Sequence, residues 1–158
     1  MPATCRIVAV SPGSALLAPA AALFDDYRVH YGHPADPDGT VAWLARQLTG
    51  AFRMFVALRD TPAGQPLGLI SVVELPASLR LGTFWSVRDL YVAAAHRRGG
   101  VARALLGHAV AGARAAGALR VSLQTEPGNT SAQALYAAAG FRPVPDLDLL
   151  SLPLTTGL

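Results

Sequence analysis

Cysteine is almost absent from this chain: Cys5 stands alone, so no internal disulfide can staple the fold, and no Cys/His spacing suits zinc. A reducing compartment, the cytoplasm, is therefore expected. Long apolar runs are missing too. Arg103, His108 and Arg114 interrupt the most Ala-rich region, so nothing reaches the roughly 18 residues that a membrane span needs. Arg6 with Ile7–Val10 and the apolar stretch 15–24 superficially suggests a secretory signal, but Pro12-Gly13-Ser14 breaks it. Charge is sparse, 15% of residues with a net +3, and the arginines are scattered without interleaved aromatics. That argues against a nucleic-acid partner and is compatible with a small polyanionic ligand. His30, His33, Asp36 and Asp38 form the nearest thing to a metal cluster. Pro34 and Pro37 among them, and the lack of a second ligand group, make it a turn, and no metal is expected.

Hydrophobic residues, by contrast, make up 52% of the 158, enough to bury a core within one domain spanning residues 1–158. Arg6–Val10 alternates as a strand, and Ser14 is placed to cap a helix through Leu16, Leu23 and Tyr27. Residues 30–39 are loop-like, after which Thr40 is placed to cap a second helix. Three apolar, β-branched or aromatic runs follow, Phe52–Leu58, Leu67–Leu75 and Thr83–Val92, separated as in an antiparallel meander. A helix from Val101 closed by Gly117, a strand Leu119–Gln124, a helix Thr130–Ala139 closed by Gly140, and a last hairpin from Phe141 to about Leu154 complete the chain. The order β-α-α-β-β-β-α-β-α-β-β implies an α/β (α+β) fold, a mixed central sheet flanked by helices.

The chemistry concentrates where a strand ending at Val92 gives way to Arg97-Arg98-Gly99-Gly100-Val101-Ala102 and a helix. Two glycines allow a tight turn, and a helix N-terminus presents unpaired amides at the positive end of its dipole, so an anion belongs there. Downstream comes Asn129-Thr130-Ser131-Ala132-Gln133-Ala134-Leu135-Tyr136, then Gly140-Phe141. Tyr136 lies seven positions after Asn129, two helical turns, which puts both on one face.

This succession, strand, R-x-x-G-x-A, helix, strand, N-x-x-A-x-x-L-Y and G-F, resembles the GCN5-related N-acetyltransferase (GNAT) superfamily, whose sheet is mostly antiparallel. Residues 23–32 and Asp89-Leu90-Tyr91-Val92 resemble its Hpa2-like branch. The resemblance implies transfer of an acetyl group from acetyl-CoA to an amine acceptor in a ternary complex, with CoA as product. It also implies that the pantetheine arm lies beside Leu90, Tyr91 and Val92 and that the diphosphate meets the turn Arg97, Arg98, Gly99, Gly100, Val101, Ala102 and Arg103. Arg98-Gly99 and Ala102 depart from the usual pattern, yet each departure keeps a small residue where backbone must approach.

The same resemblance gives Asn129 a bond to the cofactor arm, beside its plain role as a helix cap, and gives Tyr136 the part of general acid. A phenol can hand its proton to the departing thiolate. Tyr27 and Tyr31 line the acceptor pocket by resemblance, and serve equally well as core aromatics. The general base is the gap: Gln124 stands where some relatives carry glutamate and cannot take a proton. Asp89, Glu126 and, third, Glu74 are the carboxylates that could substitute, alongside water. The missing base also keeps open an alternative class, a non-catalytic acyl-CoA-binding, sensing or interaction domain. Loops near 27–40 and 75–83 would read the acceptor, and the apolar surplus with family habit suggests a homodimer.

Overall fold

Period-two patterning draws four segments into an antiparallel meander, Cys5–Ala9 (β1), Phe52–Arg59 (β2), Pro66–Ala77 (β3) and Gly82–Val92 (β4), in the spatial order of the chain. Val121–Ser122 (β5) adds in parallel beside β4. The computed structural model describes residues 4–62 and 64–156. Three helices accompany the sheet, Leu17–His30 (α1), Pro37–Gln47 (α2) and Val101–Ala115 (α3), and a further helix, Thr130–Ala138 (α4), follows β5 in the chain. The result is the expected mixed, mostly antiparallel sheet flanked by helices.

The chain divides into two compact units, Met1–Gln124 and Thr125–Leu158. In the first, Met54, Val56, Leu58 and Leu69 turn to one face and bury against Leu23 and Phe24 of α1 and Leu44 of α2. The alternate residues turn to the other face, where α3 packs with Leu105, Leu106 and Ala109 buried. Each buried leucine contributes roughly 1.5–3 kcal/mol relative to exposure. Contact is close enough that a Cβ on Gly112 would stand 3.1 Å from the Trp85 ring, so a side chain there would push α3 off the sheet.

The corner between α1 and α2 is held by a carboxylate. Asp25 is buried and accepts from the Arg28 guanidinium, the Thr40 hydroxyl and the Asp36 amide. Thr40 therefore lies inside α2 and ties it to α1 instead of capping it. The cap is Asp36, whose side chain accepts from the Gly39 amide at 3.0 Å, followed by Pro37, whose missing N–H costs nothing in a first turn. Ser14 likewise does not cap α1: its hydroxyl bonds the Ser11 carbonyl, closing a turn three residues before the helix begins.

The second unit contains α4, capped by Asn129 and closed by Gly140. At φ +98°, Gly140 lets its own amide reach the Ala137 carbonyl and that of Phe141 reach Tyr136. Two expected strands are altered. β5 is confined to Val121–Ser122, a shorter strand than Leu119–Gln124. Residues 141–156 form no strand among the described residues, so the expected final hairpin is corrected. Pro143, Pro145 and Pro153 have no N–H to give a ladder.

Burial alone would raise the Asp25 carboxyl, but the three donors outweigh it and hold it below the ordinary 3.8. A depressed value stabilises the fold above the ordinary one, and this contribution is lost as pH falls through the depressed value. Stability should therefore drop below about pH 4, and Asp25→Asn should lower the urea midpoint at pH 7 and flatten this acid limb. Identical pH profiles for the two proteins would show that the corner does not depend on this charge.

Candidate functional site

β4 changes direction at Arg88. Asp89 pairs with Ser71 and Val87 with Val72, which leaves Arg88 as the extra residue of a β-bulge. β5 pairs β4 only at Trp85 and Ser86, just before the bulge bends the strand away. Within residues 4–124, no described strand pairs with the edge of β4 beyond that point.

Backbone hydrogen bonds and strand alternation set which main-chain groups face this edge. The Ala93 amide bonds Leu67 across β3 at 2.9 Å, so Tyr91, two residues back, also directs its backbone to β3. Leu90 and Val92 consequently direct theirs outward. Before the bulge the outward residues are Thr83, whose carbonyl accepts from the Leu119 amide, and Trp85, whose amide donates to the Arg120 carbonyl just ahead of β5, and the single inserted residue shifts the parity. Arg97 completes the edge: its Nε donates to the outward Val92 carbonyl at 3.0 Å while its guanidinium lies 5.6 Å from the Tyr91 ring centre. The Leu90 N–H and C=O and the Val92 N–H are left for an extended ligand with amides of its own.

The edge leads into the turn before α3. A short 3-10 turn, Ala94–His96, precedes Arg97; Arg98 and then Gly100 take positive φ, at 62° and 83°. Gly100 is the N-cap of α3, with no side-chain cap and no acidic residue in the first turn. The first backbone bond into this turn comes from Ala104, so the amides of Val101, Ala102 and Arg103 have no helical partner. Uncapped amides, an Arg-rich rim and a helix dipole together form an anion cradle. The acetyl-CoA diphosphate has the chemistry for it.

On the face carrying Leu69, β4 presents Tyr91 and Asp89. Tyr91 sits 5.4 Å from the Tyr27 ring and 5.9 Å from His30, and Tyr27 meets Tyr31 edge-on at 5.1 Å. Tyr27 and Tyr31, expected from the sequence to line an acceptor pocket, thus adjoin β4 through one aromatic wall, whose outer member, Tyr31, is exposed. Asp89 accepts a hydrogen bond from the fully buried Ser71. Sequence reasoning missed Ser71, although a hydroxyl inside the apolar run 67–73 was a signal. Glu74 points to the opposite face, taking the Trp85 indole N–H at 3.1 Å and Arg53 at 3.4 Å. The expected loop at 75–83 is instead the end of β3, a 3-10 turn and the start of β4.

Asn129, Tyr136 and Glu126 belong to the second unit. The Asn129 side chain accepts from the Ala132 amide at 3.2 Å, the capping role. Tyr136 lies 6.0 Å from the Phe141 ring. The Glu126 carbonyl accepts from the Asn129 amide and from Gln133.

The model of the Acetyltransferase (GNAT) family matches residues 20–141. No curated protein sequence matches the chain. Among solved structures, a probable acetyltransferase is 32% identical over 96% of this chain and 99% of its own, with a TM-score of 0.89. An aminoglycoside acetyltransferase from an uncultured soil metagenomic sample is 26% identical over 96% and 99%, at 0.72. A ribosomal-protein-alanine N-acetyltransferase from Brucella melitensis biovar Abortus 2308, 18% identical over 96% and 100% at 0.77, shares the fold.

A β-carbon at Gly100 is disfavoured by its φ of 83° and would shift the backbone that presents the first amides of α3. Gly100→Val should weaken CoA binding by about tenfold or more, read by isothermal titration, while the thermal midpoint shifts by only a few degrees. Unchanged affinity would place the diphosphate elsewhere.

Proposed function

The chain belongs to the acetyltransferase (GNAT) family, and from that premise we propose that it transfers the acetyl group of acetyl-CoA to an amine, by direct attack within a ternary complex. The observation that carries this reading is the continuity of an unpaired strand edge, Leu90 to Val92, with the uncapped amides of Val101–Arg103. One bonds the pantetheine amides and the other the diphosphate, with Arg98 and Arg103 adding positive charge. Bound acetyl-CoA supplies an activated thioester.

The outward backbone N–H groups of β4 polarise the acetyl carbonyl. Tyr136 donates its phenolic proton to the leaving thiolate, the part that the N-x-x-A-x-x-L-Y motif assigns to it, and the Asn129 side chain bonds the cofactor arm. Tyr27 and Tyr31 line the acceptor pocket. The incoming ammonium loses its proton to Asp89 or Glu126 or through water. Asp89 has the better support, since it shares the face of Tyr91 and Ser71 fixes its carboxylate. Residues 1–158 act as one functional domain of the Hpa2-like branch, cytoplasmic and homodimeric, without nucleic-acid or membrane partners. Among the described residues no helix is long and apolar enough to cross a membrane. The aminoglycoside acetyltransferase relative makes polyhydroxylated amines a first acceptor class to screen.

A thiol-release assay across an amine panel tests the reading. Tyr136→Phe should lower kcat by about 100-fold or more and leave CoA affinity within about twofold. Unchanged turnover would remove Tyr136 from acid catalysis. Tight CoA binding by the wild type with no transfer to any amine would favour the non-catalytic reading raised by Gln124.

A further inference from the structure

His30 is exposed and is the last residue of α1, although the sequence groups it with the loop that follows. Its ring meets Tyr31 edge-on at 5.3 Å and lies 5.9 Å from the Tyr91 ring of β4. It thereby stands in the wall that Tyr27, Tyr31 and Tyr91 form, on the face of β4 that also carries Asp89. Among the described residues neither ring nitrogen has a hydrogen-bond or ion-pair partner, so an imidazole lone pair is available to whatever lies against the wall. The titratable and charged groups about it are few. They are the Tyr31 and Tyr91 phenols, Asp89 two positions before Tyr91 with its carboxylate bonded by Ser71, Arg97 with its guanidinium against the Tyr91 ring, and Arg28 on its own helix, which is turned to Asp25.

The acetyl transfer proposed above requires the acceptor ammonium to lose a proton. A route through water needs a group at its end, because a bridging water passes a proton on and does not keep it. We propose that His30 is that group, the base that accepts the ammonium proton. Imidazole is the side-chain type that ordinarily carries no charge, yet still takes a proton, near neutral pH, and a general base works best when it titrates near the working pH. An amine that follows the Tyr31, His30 and Tyr91 contacts to the outward N–H groups of β4 passes the imidazole. Of the three protons of a primary ammonium, one goes to His30; the nitrogen lone pair then forms the C–N bond as the C–S bond breaks and Tyr136 protonates sulfur. A second proton leaves the new amide nitrogen and restores Tyr136 through solvent, the third stays on the amide, and the imidazolium returns its proton to water. Asp89 is the rival for the first proton, with one carboxylate oxygen already engaged by the Ser71 hydroxyl.

The pH dependence of kcat/KM for one acetylated amine tests this, measured on the wild type, His30→Gln and Asp89→Asn. Wild-type kcat/KM should fall below about pH 6–7, as an imidazole that has taken a proton from solvent no longer accepts one from the amine. His30→Gln should lose about 100-fold or more at pH 7 together with that acid limb, and keep its CoA affinity within about twofold. His30→Ala should recover activity on addition of free imidazole, which a lost packing contact would not allow. An acid limb that persists in His30→Gln, one that disappears in Asp89→Asn alone, or a His30→Ala that imidazole does not rescue overturns the proposal. A wild type that acetylates no amine removes the reaction and this base with it, whereas an active wild type with an unchanged His30→Gln profile removes the base alone.

Discussion

An unpaired backbone N–H or C=O must be satisfied by something, and the arrangement of this molecule follows from where β4 leaves its own unsatisfied. One inserted residue, Arg88, bends the strand away from β5 and exchanges which residues face outward. Upstream, Thr83 and Trp85 bond Leu119 and Arg120, which lead into β5; downstream, Leu90 and Val92 face an edge that no described strand of residues 4–124 pairs. Arg97 takes one of the resulting acceptors, the Val92 carbonyl, and thereby anchors the turn that delivers uncapped helix amides a few residues later. A ligand that ends in a diphosphate and begins with amides can satisfy both sets at once.

Around that edge the packing is rigid where position matters. Trp85 rests on α3 at Gly112, which fixes the helix whose first turn forms the cradle. On the other face, Asp25 clamps the α1–α2 corner, and α1 carries Tyr27 against Tyr91. Buried charge at a corner and aromatic contact at the strand act in series: the first sets where α1 lies, the second where the Tyr27–Tyr31 wall stands. Ser71 does the same for Asp89, giving a carboxylate on β4 a fixed orientation.

The sequence revealed much of this because the signals were local. The meander shows in alternating runs, and Gly117 and Gly140 mark where α3 and α4 stop. The Arg/Gly turn and the Asn129-to-Tyr136 motif pointed to the family. What stayed hidden depended on partners distant in sequence. Thr40 looks like a cap until Asp25, fifteen residues away, is seen to hold it; Ser14 looks like one until the chain turns before the helix. A bulge leaves no local mark, so nothing distinguished Leu90 and Val92 from Tyr91. The final segment alternates like a hairpin, but its prolines remove the donors that a hairpin needs.

The most direct test of the central claim is residue-resolved amide hydrogen exchange with and without CoA. Binding should slow exchange at Leu90, Val92 and Val101–Arg103 and leave Tyr91, already bonded to β3, unchanged. Saturating CoA that protects none of these amides, or protects Tyr91 as much as its neighbours, would contradict the account.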